Sequence, residues 1–116
     1  MELTTLDQII EQEGVPAFIK IDVEGYELEV IQGLNARIPL LSFEANFPEF
    51  KEETFLILER LVEIDEGCKF NFSINFRLEL MEFVTEKELK EVISKIDDTV
   101  CLEVFCKMSN YKKFYN

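Results

Sequence analysis

Hydrophobic residues in the first half of the chain fall into two short runs with a helical pattern between them. Residues 17–21 form an apolar run that only Lys20 interrupts, which predicts a strand to about residue 22, and residues 40–45 form a second run that is almost continuously apolar. Such runs are typical of strands in a parallel sheet whose two faces are covered by helices. Residues 25–34 follow the helical period. We therefore predict a right-handed βαβ unit with parallel strands.

The rest of the chain alternates between helical and strand patterns. Residues 50–64 carry a broad apolar helical face, and a capping box begins a second predicted helix over residues 85–96. Residues 70–76 alternate Phe or Ile with polar residues, which predicts a strand with one covered face, and residues 100–105 predict a last strand. The order of these elements predicts an α/β fold with a mixed sheet, in which the parallel βαβ unit is followed by antiparallel strands.

Composition and charge narrow the class of protein. The chain has 116 residues, of which 47% are hydrophobic and 31% charged, as is typical of a folded globular domain. No linker or low-complexity tract divides it, so we expect a single domain over residues 1–116. Its 24 acidic and 12 basic residues give a net charge of −12, which repels nucleic acid and anionic membrane surfaces. No apolar run reaches the roughly 20 residues that cross a bilayer, so we expect neither a nucleic-acid nor a membrane partner.

The cysteines and the lack of histidine limit the chemistry. Cys68, Cys101 and Cys106 match no zinc-binding spacing, and we expect reduced thiols that fill apolar space in a cytoplasmic protein. Cys101 and Cys106 are five residues apart, so they should point to opposite faces of one strand. The sequence contains no histidine, so a general base has to be a carboxylate, a lysine or a tyrosine.

Charged residues interrupt or follow the two predicted parallel strands. Asp22 and Glu24 come at the end of the first strand, Glu44 closes the second, and Lys20 shares a strand face with Asp22. Ligands of open α/β sheets bind beyond the carboxyl ends of strands, so these four residues are our candidate catalytic residues. Two structural interpretations stay open: the acids merely begin a helix, and Lys20 forms an ion pair with Glu44 or Asp22. A divalent cation between the three acids is a further alternative, but no fixed loop spacing supports it and we expect no metal.

Three segments of the chain resemble FkbM-type S-adenosylmethionine-dependent methyltransferases. These segments are Thr4–Asp7, Phe18–Glu27 and Pro39–Glu44. The string IKIDVEGYE, which begins at Ile19, is the most specific. The resemblance implies a Rossmann-like class I methyltransferase fold and methyl transfer to a hydroxyl of a sugar or polyketide-like acceptor. It also implies that Asp22 lies beside the cofactor's sulphonium or the acceptor hydroxyl, as a cofactor-binding and catalytic residue, with Glu24 and Glu44 on the acceptor side.

One feature of such methyltransferases, a glycine-rich turn after the first strand, is missing from the sequence. The four glycines are Gly14, Gly25, Gly33 and Gly67, and no two of them are close enough for a G-x-G turn. We therefore expect half of a Rossmann-like fold, a truncated domain equivalent to the carboxyl-terminal half of the methyltransferase. Such a chain is expected to bind S-adenosylmethionine weakly or not at all and to be inactive in isolation.

Two non-catalytic interpretations stand beside the methyltransferase. A receiver-like signalling domain would use Asp22 as a phosphorylated aspartate, although it needs five regular βα units that the alternating segment 68–82 interrupts. A non-catalytic α/β interaction module would use surfaces that the other half of the fold normally covers. The edge of the first strand is then open, so we expect a homodimer through this edge or through apolar helix faces.

Overall fold

The computed structural model describes residues 18–21, 26–47, 49–75, 77–96 and 99–108. Every strand and helix predicted within these ranges has a counterpart there, whereas a further helix predicted over residues 5–12 lies outside the described residues. The strands are β1 (Phe18–Ile21), β2 (Leu40–Phe47), β3 (Lys69–Ile74), β4 (Arg77–Leu78) and β5 (Val100–Lys107). The helices are α1 (Glu27–Gln32), α2 (Lys51–Ile64) and α3 (Glu86–Ile93). The longest of these helices, α2, has 14 residues, and none of the three has the length and apolar character of a membrane span.

The strands form one mixed sheet in the order β1-β2-β5-β3-β4. β1 and β2 are parallel, with Phe18 opposite Leu40 and Ile21 opposite Phe43, and the other neighbouring strands are antiparallel. The predicted α/β fold, with a parallel βαβ unit followed by antiparallel strands, is confirmed. β5 is the last strand in sequence but lies between β2 and β3, an arrangement that differs from the repeated βα order of a receiver-like domain.

Backbone hydrogen bonds decide where the elements end. α1 stops at Gln32 because the amide of Gly33 bonds back to the carbonyl of Val30 at 3.1 Å, which tightens the last turn. β2 and β5 extend beyond their predicted ends because the two strands pair with each other along their whole length. Non-local pairing of this kind adds residues to a strand without any local sequence signal.

All three described helices pack on one face of the sheet. α2 contacts α1, α3 and β2, and α3 also contacts β3. Leu41, Phe43 and Phe47 of β2 point into this layer and are buried in the core. The opposite face of β2 carries Ser42 and Glu44. Ser42 is fully buried on this face, and its hydroxyl donates to Glu103 Oε2 of β5. None of the described helices lies there, so the prediction that helices cover both faces of β2 stays a prediction.

The three cysteines lie in different surroundings. Cys68 and Cys106 are buried in the core, as predicted for apolar fillers. Cys101 is exposed, so that prediction is wrong for this residue, and its five-residue separation from Cys106 along β5 places it on the other face. A hydrogen bond with Cys68, and then burial, raises the pKa of the Cys106 thiol well above its ordinary value, so this thiol stays protonated.

Candidate functional site

A cleft opens at the carboxyl end of β2, between the first turns of α1 and α2. Its volume is about 280 Å³. Polar residues that line it are Glu27 from α1, Glu44 and Asn46 from β2, and Glu53 and Thr54 from α2. The cleft therefore lies at the position where open α/β sheets bind their ligands.

The turn between β2 and α2 fixes the shape of this cleft. The amide of Phe50 donates to the carbonyl of Asn46 at 2.8 Å, and this bond helps turn the chain from strand into helix. The amide and the hydroxyl of Thr54 both donate to the carbonyl of Phe50, at 2.9 Å and 2.8 Å. The Thr54 hydroxyl is thus a structural group of the first helical turn, and its oxygen keeps only acceptor capacity toward a ligand.

Negative charge dominates the cleft. Partial burial, and then the charges of Glu29 and Glu27, raise the pKa of the Glu53 carboxyl above its ordinary value. Glu27 is itself buried, with 7% of its surface exposed. A carboxylate with a raised pKa binds a proton more readily, which is the property that a general base needs toward a hydroxyl group. Glu53 is therefore a candidate proton acceptor in the cleft.

On the opposite face of the sheet, Lys20 bridges two carboxylates. Its Nζ lies 3.8 Å from Glu44 Oε1 and 3.8 Å from Glu103 Oε2. Glu44 and Glu103 face each other on β2 and β5, and the Ser42 hydroxyl donates to Glu103 Oε2 at 2.8 Å. The predicted ion pair between Lys20 and Glu44 is confirmed, although the lysine side chain is 43% exposed instead of buried. We refer to Lys20, Ser42, Glu44 and Glu103 as the sheet-face cluster.

Two of the four predicted site residues lie in the described part of the chain. Glu44 belongs to the sheet-face cluster and also lines the cleft, so it lies between two polar sites. Lys20 belongs to the cluster alone. Asp22 and Glu24 lie outside the described residues, so their roles stay predictions. Within the described ranges, no three His, Cys, Asp or Glu side chains come together in a way that suits a metal ion.

The sequence prediction did not include Glu27, Glu53 or Glu103. Glu27 and Glu53 are in the first turns of helices, where acidic residues are common because they interact favourably with the helix dipole. Nothing in the local sequence therefore separates these two from ordinary helix starts. Glu103 did carry a signal, since a charged residue inside the apolar run of β5 has to find a partner.

Comparison with protein families agrees with this geometry. The model of the methyltransferase FkbM domain matches residues 1–87 of the 116. That range contains β1, α1, β2 and α2, and with them every residue named above as lining the cleft. No curated protein and no solved structure matches the chain significantly. Because the family match spans most of the chain and includes the whole cleft, the chain belongs to the FkbM methyltransferase family.

Proposed function

We propose that the chain forms the acceptor side of a cytoplasmic S-adenosylmethionine-dependent methyltransferase that methylates a hydroxyl group. Membership of the FkbM family supports methyl transfer, and the buried free thiols of Cys68 and Cys106 support a cytoplasmic location. The observation that supports a hydroxyl-bearing acceptor is the cleft of about 280 Å³ with carboxylates in its wall. Sugars and polyketide-like compounds present several hydroxyl donors, and carboxylates are strong acceptors for them.

Glu53 is the proposed proton acceptor in this cleft. A hydroxyl oxygen that gains a bond to carbon has to lose its proton, and the raised pKa of Glu53 suits its carboxylate to take that proton. Glu27 is a positioning residue, because its negative charge helps to keep the pKa of Glu53 raised. The family resemblance adds Asp22 as the residue that orients the hydroxyl, with Glu24 and Glu44 shaping the acceptor side.

The cofactor fits these residues only in part. S-adenosylmethionine supplies an electrophilic methyl group on a positively charged sulphonium, and an acidic cleft suits that charge. The sequence has no pair of glycines spaced for the turn that lets the backbone approach a nucleoside. We therefore propose that the chain corresponds to the carboxyl-terminal half of a Rossmann-like domain and is inactive by itself.

The acceptor proposal can be tested by NMR titration of the ¹⁵N-labelled chain with glucose. We expect saturable shifts of the amide signals of Asn46, Phe50 and Glu53, with a dissociation constant in the millimolar range. Permethylated glucose is the matched ligand, since it keeps the ring but has no hydroxyl donors. It should leave these signals unchanged.

Two glutamate variants provide the protein controls for this titration. Glu53→Gln should weaken glucose binding several-fold, because a neutral amide is a poorer acceptor than a carboxylate. Glu63→Gln removes an exposed carboxylate elsewhere on α2 and should have no effect. Equal shifts with glucose and permethylated glucose, or no shifts in the cleft, would contradict a hydroxyl acceptor.

The incomplete cofactor site needs its own measurement. Isothermal calorimetry with S-adenosylmethionine should show no binding in the micromolar range, because the glycine-rich turn is missing from the sequence. Micromolar affinity would show that the chain holds the cofactor without that turn, and the proposal of half a site would be wrong.

A further inference from the structure

The cleft at the end of β2 lies where α/β proteins commonly bind anions, at the N-terminal end of a helix. α2 begins after Phe50, and its first turn forms one wall of the cleft. The peptide dipoles of a helix place about half a positive charge at this end, which favours phosphate and carboxylate ligands. The backbone alone would therefore favour an acceptor that carries a negative charge.

The side chains of the cleft reverse this preference. Glu27, Glu44 and Glu53 line it from α1, β2 and α2, so three elements each contribute a carboxylate. Among the described residues, no lysine or arginine lines the cleft. Three negative charges at neutral pH outweigh the half charge of a helix end, so the potential inside the cleft is negative.

The lysines near the cleft make their contacts elsewhere. Lys51 belongs to the first turn of α2, but its Nζ donates to the carbonyls of Ser94 and Ile96, both at 3.0 Å. The Nζ of Lys20 lies 3.8 Å from Glu44 Oε1 and equally far from a second carboxylate on the opposite face of the sheet. These two cations therefore offset the charge of the cleft only in part.

The pKa of Glu53 responds to this negative potential. Partial burial, and then the charges of Glu29 and Glu27, raise the pKa, and none of these influences comes from a cation. An anionic ligand beside Glu53 would add one more like charge to a partly desolvated site. Like charges that meet in such a place are strongly unfavourable, whereas the hydroxyl of a neutral ligand finds good acceptors there.

We propose that the cleft selects an uncharged acceptor and excludes compounds that carry a phosphate or a carboxylate. This inference rests on the hydroxyl acceptor proposed above and narrows it to a neutral sugar or polyketide-like compound. Glu27, Glu44 and Glu53 are the specificity-determining residues, because repulsion weakens the wrong ligand without a new contact to the right one. A sugar that carries a phosphate or a nucleotide is then no acceptor, so a reaction that removes this group, such as glycosyl transfer, has to come first.

The test is an NMR titration of the ¹⁵N-labelled chain with glucuronamide and with glucuronate, at neutral pH and low salt. The two ligands have the same ring and nearly the same size, and they differ by one negative charge. We expect glucuronamide to shift the amide signals of Asn46, Phe50 and Glu53 as glucose does, and glucuronate to bind at least about 10-fold more weakly. Added salt should narrow this difference, because it screens the repulsion.

Two glutamate variants connect the discrimination to the cleft. Glu44→Gln and Glu53→Gln each remove one negative charge, and each should lower the ratio of the two affinities about 3-fold. The ratio separates charge from hydrogen bonding, since the poorer acceptor in Glu53→Gln affects both ligands. Glu63→Gln removes an exposed carboxylate from another part of α2 and should leave the ratio unchanged.

Equal affinities for glucuronate and glucuronamide would overturn this inference, and so would a ratio that stays the same in both Glu44→Gln and Glu53→Gln. If glucose and glucuronamide bind the cleft in these cases, the hydroxyl acceptor stands and only the exclusion of anions is wrong. If neither neutral ligand shifts the cleft signals, the hydroxyl acceptor itself is wrong, and the exclusion of anions with it.

Discussion

Among single residues, Lys20 has the clearest structural role. Glu44 and Glu103 face each other on neighbouring antiparallel strands, and like charges in this position destabilise a sheet. The Lys20 ammonium lies 3.8 Å from both carboxylates and offsets their repulsion. Because the lysine side chain is 43% exposed, solvent weakens each of these interactions.

Replacing Lys20 by methionine should therefore destabilise the fold modestly. We expect Lys20→Met to lower the free energy of unfolding by about 1 kcal/mol, since the two carboxylates are left facing each other. Urea unfolding at low salt measures this change, and the double variant Lys20→Met/Glu103→Gln should recover most of it. Lys95→Met, which removes an exposed lysine after α3, is the control. Equal effects of Lys20→Met and Lys95→Met would show that the bridge contributes nothing.

The pKa of Glu53 makes a prediction about pH. Partial burial, and then the charges of Glu29 and Glu27, raise this pKa above its ordinary value of 4.5, so the folded state binds the proton more tightly than the unfolded state. The ionised form of Glu53 therefore costs stability once the pH rises above both pKa values. We expect Glu53→Gln to stabilise the fold at neutral pH by about 0.3 kcal/mol, the scale of a solvent-screened like-charge pair. The gain should disappear below pH 4.5, as thermal unfolding at several pH values can show. A gain that persists at low pH would contradict this electrostatic cause.

At the scale of elements, α3 depends on the capping box at its start. The hydroxyl of Thr85 accepts from the amide of Glu88 at 3.3 Å, and the Glu88 carboxylate accepts from the Thr85 amide at 3.2 Å and from its hydroxyl at 2.8 Å. The hydrogen bond from the Thr85 hydroxyl, and then the bond from its amide, lowers the pKa of Glu88. The reciprocal bonds therefore favour the ionised carboxylate.

Removal of this cap should weaken the fold most at neutral pH. Thr85→Ala is expected to cost about 1 kcal/mol of unfolding free energy, as is typical for an N-cap residue. Because the folded pKa of Glu88 is lowered, its contribution is complete above the ordinary value of 4.5 and is lost as the pH falls through the lower folded value. The difference between wild type and Thr85→Ala should thus shrink in acid, as measured by urea unfolding. Thr85→Ser keeps the hydroxyl and should behave as wild type. A loss in Thr85→Ser as large as in Thr85→Ala would exclude the hydroxyl as the cause.

The elements were predictable from the sequence because their signals are local. The capping box of α3, the apolar face of α2 and the alternation along β3 each involve residues that are near one another in the chain. The place of β5 between β2 and β3 has no such signal, since it depends on strand pairing between distant parts of the sequence. The hydrogen bond from Ser42 to Glu103 depends on the same pairing, because β2 and β5 are far apart in the sequence.

The candidate site was likewise predictable only where its signals are local in the sequence. The apolar context of Lys20 was sufficient to predict an ion pair with either Glu44 or Asp22, and the structure shows the pair with Glu44. The raised pKa of Glu53 was not predictable, because Glu27 and Glu29 come near it only when α1 packs against α2. The family resemblance that rests on the IKIDVEGYE string is confirmed by the family match, while the role of Asp22 stays a prediction.

At the scale of the whole molecule, the edge strand of the described sheet favours self-association and the large net charge opposes it. β1 is the outer strand of the described sheet, and its residue Phe18 is 45% exposed. A hydrophobic edge strand can pair with a second copy of the chain. The net charge of −12 makes two copies repel each other, and salt screens this repulsion over about 10 Å at 0.1 M ionic strength. The balance between pairing and repulsion should therefore depend on salt.

We expect the chain to form a homodimer through β1 at high concentration and to do so more strongly as salt is added. Analytical ultracentrifugation at low and high salt measures the association. Phe18→Lys places a charge on the strand edge and should abolish the dimer. Leu56→Lys changes a side chain of α2 that is 51% exposed and should leave the dimer intact, because it lies in the helical layer. If Leu56→Lys alone disrupts association, the interface lies on the helices; a monomer at every concentration and salt would contradict self-association altogether.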